Sequence, residues 1–191
     1  MKTIAWDVDD VLNDLMRTWL ERFWMPAHPD CPIGYEQVSE NPPHSLLGVS
    51  LPEYQASLDD FRLSESAKEM PPVPEVLAWF QRHGVSFRHM ALTATPLSTA
   101  PTSAAWVMRH FGRWIRSFHV VPSPRQGEHL PAYDQSKEDF LRRWHEVDIL
   151  VDDNPLSVAV AQALGIQTIL WPRPWNQSRL TLAEALAALT A

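Results

Sequence analysis

The chain has 191 residues, of which 45% are hydrophobic, and its formal net charge is -7. The apolar content excludes an extended disordered chain, and the negative charge argues against polymeric nucleic acid or an anionic membrane surface as the main partner. Its single cysteine, Cys31, excludes an internal disulfide. No apolar run approaches the roughly 20 residues of a membrane span, and no signal segment precedes the first predicted strand, so we expect a cytoplasmic protein.

The stretch KTIAWDVDDVLND, residues 2–14, combines an apolar run with clustered acids. The run 4–6 predicts a buried parallel strand, and carboxylates follow it at Asp7, Asp9 and Asp10. Carboxylates so close together repel one another and lose hydration in a cleft, and a hard cation such as Mg2+ offsets that cost. A solvated acidic turn is the alternative for this cluster on its own.

The remaining elements follow from hydrophobic periodicity and from glycine and proline positions. Helices are predicted at residues 15–24, 51–61, 74–83, 103–115, 137–144, 158–164 and 181–189. Further strands are predicted at residues 87–92, 118–121, 147–151 and 166–171, loops at 26–43, and a looser segment up to residue 72. Strands that alternate with helices predict an α/β fold with a mostly parallel sheet and helices on both faces.

Polar side chains follow three of the predicted strands at the same end. Asp7 and Asp9 follow the first strand, Thr93 ends the second, and Asp152 and Asp153 follow the strand at 147–151. Right-handed crossovers place the carboxyl ends of parallel strands at one edge, where open α/β sheets bind ligands. We therefore expect these groups to meet there, which disfavours the acidic-turn alternative.

These residues resemble the four motifs of the haloacid dehalogenase-like (HAD) phosphatase superfamily. The motifs are DVDDV at residues 7–11, Thr93 after an apolar strand, Lys137 at a helix start, and the pair Asp152 and Asp153. The resemblance implies a three-layer Rossmann-like core with a small helical cap inserted after the first strand. It assigns residues 1–14 and 73–191 to the core domain and residues 15–72 to the cap.

Within the superfamily the sequence is most similar to the 5'(3')-deoxyribonucleotidase family. The similar segments are PVPEV at 72–76, LTATP at 92–96, WVMRHFG at 106–112, ILVDD at 149–153 and ILWPRPWN at 169–176. This resemblance implies a small phosphorylated substrate, namely a (deoxy)nucleoside monophosphate. Ala94 stands where that family usually has serine, and Lys137 lies farther before Asp152 than is typical. A sugar phosphate or coenzyme fragment is therefore the alternative substrate, and a non-catalytic domain that binds a phospho-ligand is the rival from another class.

The resemblance also implies roles for the acids. Asp7 takes the place of the nucleophile that forms an aspartyl phosphate. Asp9 resembles the general acid that protonates the leaving alcohol and then deprotonates the attacking water. Mg2+ would bind the Asp7 carboxylate, the backbone carbonyl of Asp9 and the Asp153 carboxylate.

Other site residues are implied to hold the substrate. Thr93 and Lys137 would bind the phosphoryl oxygens, and Asp152 would orient Lys137. An ordinary surface lysine at a helix start is the alternative for Lys137. Phe61 is the leading candidate for stacking on a nucleobase, and Leu15 stands where the family often has another aromatic residue. The oligomeric state stays open, a homodimer included.

Overall fold

The computed structural model describes residues 1–190 and contains one five-stranded sheet. All four strand pairings are parallel, and the strand order is β3-β2-β1-β4-β5. The strands are β1 Thr3–Trp6, β2 Arg88–Thr95, β3 Ile115–Pro122, β4 Ile149–Asp152 and β5 Gln167–Leu170. The predicted α/β fold with a parallel sheet is confirmed, and β1 is its central strand.

Helices connect the strands and also form the insertion between β1 and β2. They are α1 Leu15–Trp19, α2 Met25–Ala27, α3 Leu51–Leu63, α4 Glu65–Lys68, α5 Pro74–His83, α6 Ala100–Phe111, α7 Lys137–Arg143, α8 Pro155–Ala163 and α9 Leu182–Ala187. A π-helical turn at Leu20–Trp24 joins α1 to α2, and 3-10 turns lie at Tyr35–Gln37 and Gly84–Ser86. No helix within residues 1–190 combines the length and apolar character that a bilayer crossing requires.

Alternating side chains of the strands fill two core clusters. In β1, Ile4 and Trp6 pack with buried residues of α5, α6 and α9 on one face. Ala5 points to the opposite face, where α7 and α8 supply Phe140 and Ala161. Both faces are thus covered, as parallel sheets require, and the result is a three-layer core.

The boundaries of α6 and β3 differ from those predicted. Helix α6 ends at Phe111 rather than near residue 115, and β3 begins at Ile115 rather than at Phe118. Helix α6 also begins at Ala100 rather than at residue 103. Pro101 in its first turn favours this earlier start, because the first turn of a helix needs no N–H from that residue. A Cβ added at Gly112 would clash with the carbonyl oxygen of Met108, so the close backbone approach at this helix end requires glycine.

Residues 15–70 of the insertion contribute a hydrophobic cluster of their own, which we call the insertion cluster. Its buried members are Leu15, Met16, Trp19, Leu20, Trp24, Tyr35, Val38, Tyr54, Leu58, Phe61, Ala67 and Met70. Trp175, which follows β5, is the residue outside the insertion that packs against it. The segment predicted to be irregular after residue 61 contains the short helix α4, whose N-terminus is capped by the hydroxyl of Ser64.

Candidate active site

Asp7 lies immediately after β1, at the carboxyl edge of the sheet. Its backbone N–H donates to the carbonyl of Val151 at 2.9 Å, which extends the pairing of β1 with β4 by one residue. Its Oδ1 accepts a 2.8 Å hydrogen bond from the backbone N–H of Val8, and its Oδ2 lies 2.9 Å from Nζ of Lys137. The carboxylate is therefore fixed by one backbone donor and one cation.

Lys137 is the first residue of α7, which the hydroxyl of Ser136 caps by accepting from the N–H of Asp139. Its Nζ donates to Oδ2 of Asp152 at 2.7 Å while also contacting Asp7. Burial alone would lower the pKa of Lys137, but the carboxylates of Asp152 and Asp7 raise it above the ordinary value. Lys137 is thus a buried cation between two acids, despite the long loop that precedes α7.

Asp7, Asp152 and Asp153 each place a carboxylate oxygen within 4.8 Å of those of the others. Burial raises the pKa of Asp7 to about 7, against the attraction of Lys137, and the negative charge of Asp152 contributes to the rise. Burial also raises the pKa of Asp153 well above its usual value, and the charges of Asp7 and Asp152 add to this effect. Such a set of hard oxygen donors with excess negative charge fits a divalent cation such as Mg2+.

The residues after β5 position Asp153. The indole N–H of Trp175 donates to Asp153 Oδ2 at 2.7 Å, and the Asn176 amide donates to the Asp153 carbonyl at 2.8 Å. The sequence motif at 169–176 marked this segment, but its contact with the acidic pair depends on the neighbouring placement of β4 and β5.

Asp10 serves the turn after β1 instead of joining the carboxylate cluster. Its backbone has a φ of 61°, a left-handed conformation that aspartate tolerates better than most residues. Its Oδ1 accepts a 2.9 Å hydrogen bond from the N–H of Met16, in the first turn of α1. Burial raises the pKa of Asp10 to about 7, while the charge of Arg173 opposes the rise. The third acid of the sequence cluster therefore ties the insertion to the core.

Asp9 lines the same cavity edge as Asp7, and its carboxylate contacts the insertion. Its Oδ2 accepts a 3.0 Å hydrogen bond from Arg62 Nη2 in α3, and its Oδ1 lies 3.4 Å from Asn13 Nδ2. Thr93 lies in β2 beside this edge and is 1% exposed. Its hydroxyl has no hydrogen-bond partner among the residues described, so it is an available donor.

A cavity of about 300 Å³ opens between the carboxyl edge of the sheet and the insertion. The charged residues that line it include Asp7, Asp9, Arg62, Arg125, Lys137 and Asp153. Leu15 and Ala94 also line it. The cavity thus brings five predicted site residues, Leu15 among them, together with two arginines that the sequence did not single out.

Phe61 lies elsewhere. It is fully buried in the insertion cluster and packs against Phe23 with ring centroids 5.7 Å apart. Phe61 is not among the residues lining the cavity, and its predicted contact with the substrate stays a prediction. Helix α3 instead turns the next residue, Arg62, toward the cavity, since successive helical positions point about 100° apart.

Arg62 and Arg125 share Asp59 as a partner. Arg125, in the loop after β3, binds Asp59 through Nε at 2.6 Å and through Nη2 at 2.7 Å, and Arg62 Nη1 lies 3.1 Å from the same carboxylate. Arg125 and Asp59 are 66 residues apart in the sequence, and Arg62 and Asp9 are 53 residues apart. Sequence periodicity carries no signal for such contacts.

Comparison with known proteins identifies the class of fold. Protein Tyrosine Kinase A of Mycobacterium tuberculosis is 18% identical over 100% of this chain and 98% of its own, with a TM-score of 0.66. A putative beta-phosphoglucomutase from Thermotoga maritima is 16% identical over 100% and 99%, with a TM-score of 0.60. A haloacid dehalogenase-like family hydrolase from Streptococcus pneumoniae is 12% identical over 88% and 83%, with a TM-score of 0.58.

No protein-family model and no curated protein matches the sequence. The structural likenesses therefore rest on the backbone rather than on close sequence similarity. The chain has the Rossmann-like α/β fold found in haloacid dehalogenase-like hydrolases.

Proposed function

We propose that this protein is a Mg2+-dependent phosphomonoesterase that hydrolyses a (deoxy)nucleoside monophosphate through an aspartyl-phosphate intermediate. The observation that carries the proposal is the contact of Lys137 with both Asp7 and Asp152, beside Asp153, at the carboxyl edge of a parallel sheet. The names of the similar structures, a hydrolase, a phosphoglucomutase and a kinase, support hydrolytic or phosphoryl-transfer chemistry.

In the proposed reaction an Asp7 carboxylate oxygen attacks phosphorus, and the bond from phosphorus to the leaving oxygen breaks. Asp9 enters this step protonated on the oxygen that Arg62 does not contact, and it transfers that proton to the leaving oxygen, which releases the alcohol. Asp9, now a carboxylate, takes a proton from water as the water oxygen attacks phosphorus. The bond between phosphorus and Asp7 breaks, inorganic phosphate leaves, and both acids return to their starting states.

Two further groups would hold the phosphoryl group during these steps. The Lys137 ammonium is already directed at Asp7, so it can offset charge on the phosphoryl oxygens. The unpartnered hydroxyl of Thr93 is a second donor for those oxygens. Asp152 positions Lys137, and its Oδ1 accepts from the N–H of Asn154 at 2.9 Å, so both its oxygens are already engaged.

The Asp7 and Asp153 carboxylates, with the Asp9 backbone carbonyl, would hold the metal. When bound, Mg2+ neutralises the excess charge of the cluster and polarises a phosphoryl oxygen. Asp152 is engaged with Lys137, so we assign it to positioning rather than to the metal. Residues 15–72 are proposed to act as the cap over a core formed by residues 1–14 and 73–191.

A sugar phosphate or another small phosphate ester is the second candidate substrate. Tyr54 is the one aromatic residue lining the cavity within residues 1–190, and its ring packs edge-on against Trp19, with centroids 5.3 Å apart. A base would therefore have few aromatic faces on which to stack, although such stacking is worth about 1–3 kcal/mol per base. The volume of about 300 Å³ also lies at the lower end for small-molecule sites.

A phosphate-release screen tests the proposal. Purified protein is incubated with nucleoside monophosphates and sugar phosphates, with and without Mg2+, alongside Asp7→Asn. We expect release that requires Mg2+, prefers nucleoside monophosphates and is absent in the variant. Sugar phosphates as the better substrates would favour the second candidate. No release from any ester would support the non-catalytic phospho-ligand-binding domain.

A paired comparison tests the division of roles between the acids after β4. Asp153→Ala is expected to weaken Mg2+ binding, measured by calorimetry, by about tenfold or more. Asp152→Ala is expected to lower kcat while leaving the metal affinity within about threefold of wild type. Equal metal affinities in wild type and both variants would contradict this assignment.

A further inference from the structure

Four side chains form a continuous ion chain from the loop after β3 to the proposed general acid. Arg125 binds Asp59 with two hydrogen bonds, Asp59 contacts Arg62 at 3.1 Å, and Arg62 binds Asp9 at 3.0 Å. Asp59, Arg62 and Asp9 are nearly buried, with side-chain exposures of 19%, 14% and 19%, and Arg125 is 20% exposed. Solvent screening of these pairs is therefore weaker than at an open surface.

The ion chain links the insertion to the rest of the protein at two points. Asp59 and Arg62 lie one helical turn apart on α3 and carry opposite charges. Each meets its opposite on the core side, Asp59 with Arg125 and Arg62 with Asp9. One approach of α3 to the core thus satisfies both pairs at once.

The two oxygens of Asp9 are held unequally. Oδ2 accepts the charged hydrogen bond from Arg62, whereas Oδ1 has the long 3.4 Å contact with Asn13. A carboxyl group fixed through one oxygen keeps the other free to carry a proton to a reacting group. The arrangement orients the acid through a side chain of the insertion.

We propose that Arg62 is the positioning residue for the general acid Asp9, and that Asp59 and Arg125 hold Arg62 in place. The inference rests on the proposed phosphatase function and adds that the insertion completes the catalytic set. Arg62 acts through Asp9, so its loss should impair protonation of the leaving oxygen rather than attack by Asp7.

The dependence of kcat/KM on the leaving group separates a role in positioning Asp9 from a general loss of structure. An alkyl phosphate needs its leaving oxygen protonated, whereas an aryl phosphate such as para-nitrophenyl phosphate releases a stable phenolate with little help. We expect Arg62→Gln to lower kcat/KM for the best alkyl phosphate about 30-fold or more and for the aryl phosphate less than about threefold. Asp9→Asn should show the same selectivity with a larger loss for the alkyl ester.

The outer members of the chain should give smaller effects of the same kind. Asp59→Asn and Arg125→Gln are each expected to lower alkyl-ester kcat/KM about three- to tenfold, and the double variant should lose little more than Asp59→Asn alone, because both act through Arg62. Arg17→Gln is the matched control. This substitution removes an ion pair of 2.8 Å between Arg17 and Glu36 within the insertion, and Arg17 does not line the cavity. The kcat/KM values for both substrates should therefore stay unchanged.

Several results would overturn the inference. Equal losses on both esters would make Arg62 a ligand of the phosphoryl group or a structural residue. A rise in KM alone would make it a substrate contact, for which its unpartnered Nε is available. If Arg62→Gln does not fold, Arg62→Lys replaces it. The proposal would then be refuted if both Arg62→Lys and Asp59→Asn kept the wild-type ratio of kcat/KM for the alkyl ester to kcat/KM for the aryl ester. A wild type inactive on every ester would instead remove the proposed function.

Discussion

The carboxyl edge of the sheet and the insertion cluster are both buried but are built in opposite ways. The edge gathers Asp7, Asp152 and Asp153, of which the first two pair with Lys137. The insertion cluster is apolar and includes aromatic contacts such as Phe23 with Phe61. Burying apolar surface stabilises a fold, while burying like charges destabilises it unless ions or donors compensate. The insertion cluster therefore stabilises the fold, whereas the charges at the edge oppose folding and are accounted for by the proposed function.

The largest effect is expected from a substitution at the carboxyl edge of the sheet, which should lower activity without lowering stability. Asp7→Asn removes the proposed nucleophile while preserving side-chain volume and the acceptor for the N–H of Val8. We expect kcat to fall by at least about 10³-fold with little change in the thermal unfolding midpoint. Activity near the wild-type value in a folded variant would reject covalent catalysis by Asp7.

A substitution in the insertion cluster should lower stability and leave activity nearly unchanged. Phe61→Ala is expected to lower the free energy of unfolding by about 3–4 kcal/mol, because it empties a fully buried aromatic site. In the folded protein, kcat/KM should stay within about threefold of wild type. The half-exposed Phe23 provides the control, and Phe23→Ala should cost less than half as much stability in urea titrations. A several-fold rise in KM without a stability loss would return Phe61 to a substrate-binding role.

The contrast also explains which features the sequence predicts. Short apolar runs that end in Asp7 or Asp152 indicate both the strands and their functional edge, because parallel crossovers bring the strand ends together. The local sequence does not determine which side of α3 faces the cavity. Whether Phe61 or Arg62 faces the cavity depends on how the whole insertion packs, so the local sequence does not decide between them.

Neutralising one edge acid should stabilise the metal-free protein. Asp153→Asn removes a buried charge next to Asp7 and Asp152 but can still accept from the Trp175 indole. We expect the free energy of unfolding without metal to rise by roughly 1–2 kcal/mol and the stabilisation by added Mg2+ to disappear. Lower stability without metal would show that the edge acids are already compensated by their neighbours.

The smallest effect concerns a polar residue within the apolar core. Burial lowers the pKa of His89, whose Nδ1 accepts from the Trp6 indole at 3.1 Å while its Nε2 donates to the Gly84 carbonyl at 2.8 Å. The fold favours the neutral form of the His89 ring. The contribution of His89 to the free energy of unfolding is therefore complete above the ordinary pKa of 6.5, and it is lost as the pH falls toward the lower pKa of the folded state.

Wild type should therefore lose roughly 1 kcal/mol more than His89→Gln between about pH 7 and about pH 5.5. Urea titrations at both pH values measure this difference. An identical loss in the two proteins would assign the acid sensitivity to other groups.

The ion chain through Asp59 and Arg62 shows where sequence reasoning ends. Its members come from the strand end, from α3 and from the loop after β3, and each pairing depends on the approach of distant segments. The role of Asp10 was hidden for a similar reason. A cluster of three acids gives no sign that one of them adopts a left-handed turn and binds the start of α1.

Trapping of the phosphorylated enzyme tests the central proposal most directly. Wild type is mixed with its best substrate and Mg2+, quenched in acid within one turnover, and digested for mass spectrometry. We expect one phosphoryl group on the peptide that contains Asp7, and none in Asp7→Asn. A phosphoryl group on any other residue, or turnover that persists in Asp7→Asn, would contradict an aspartyl phosphate at Asp7.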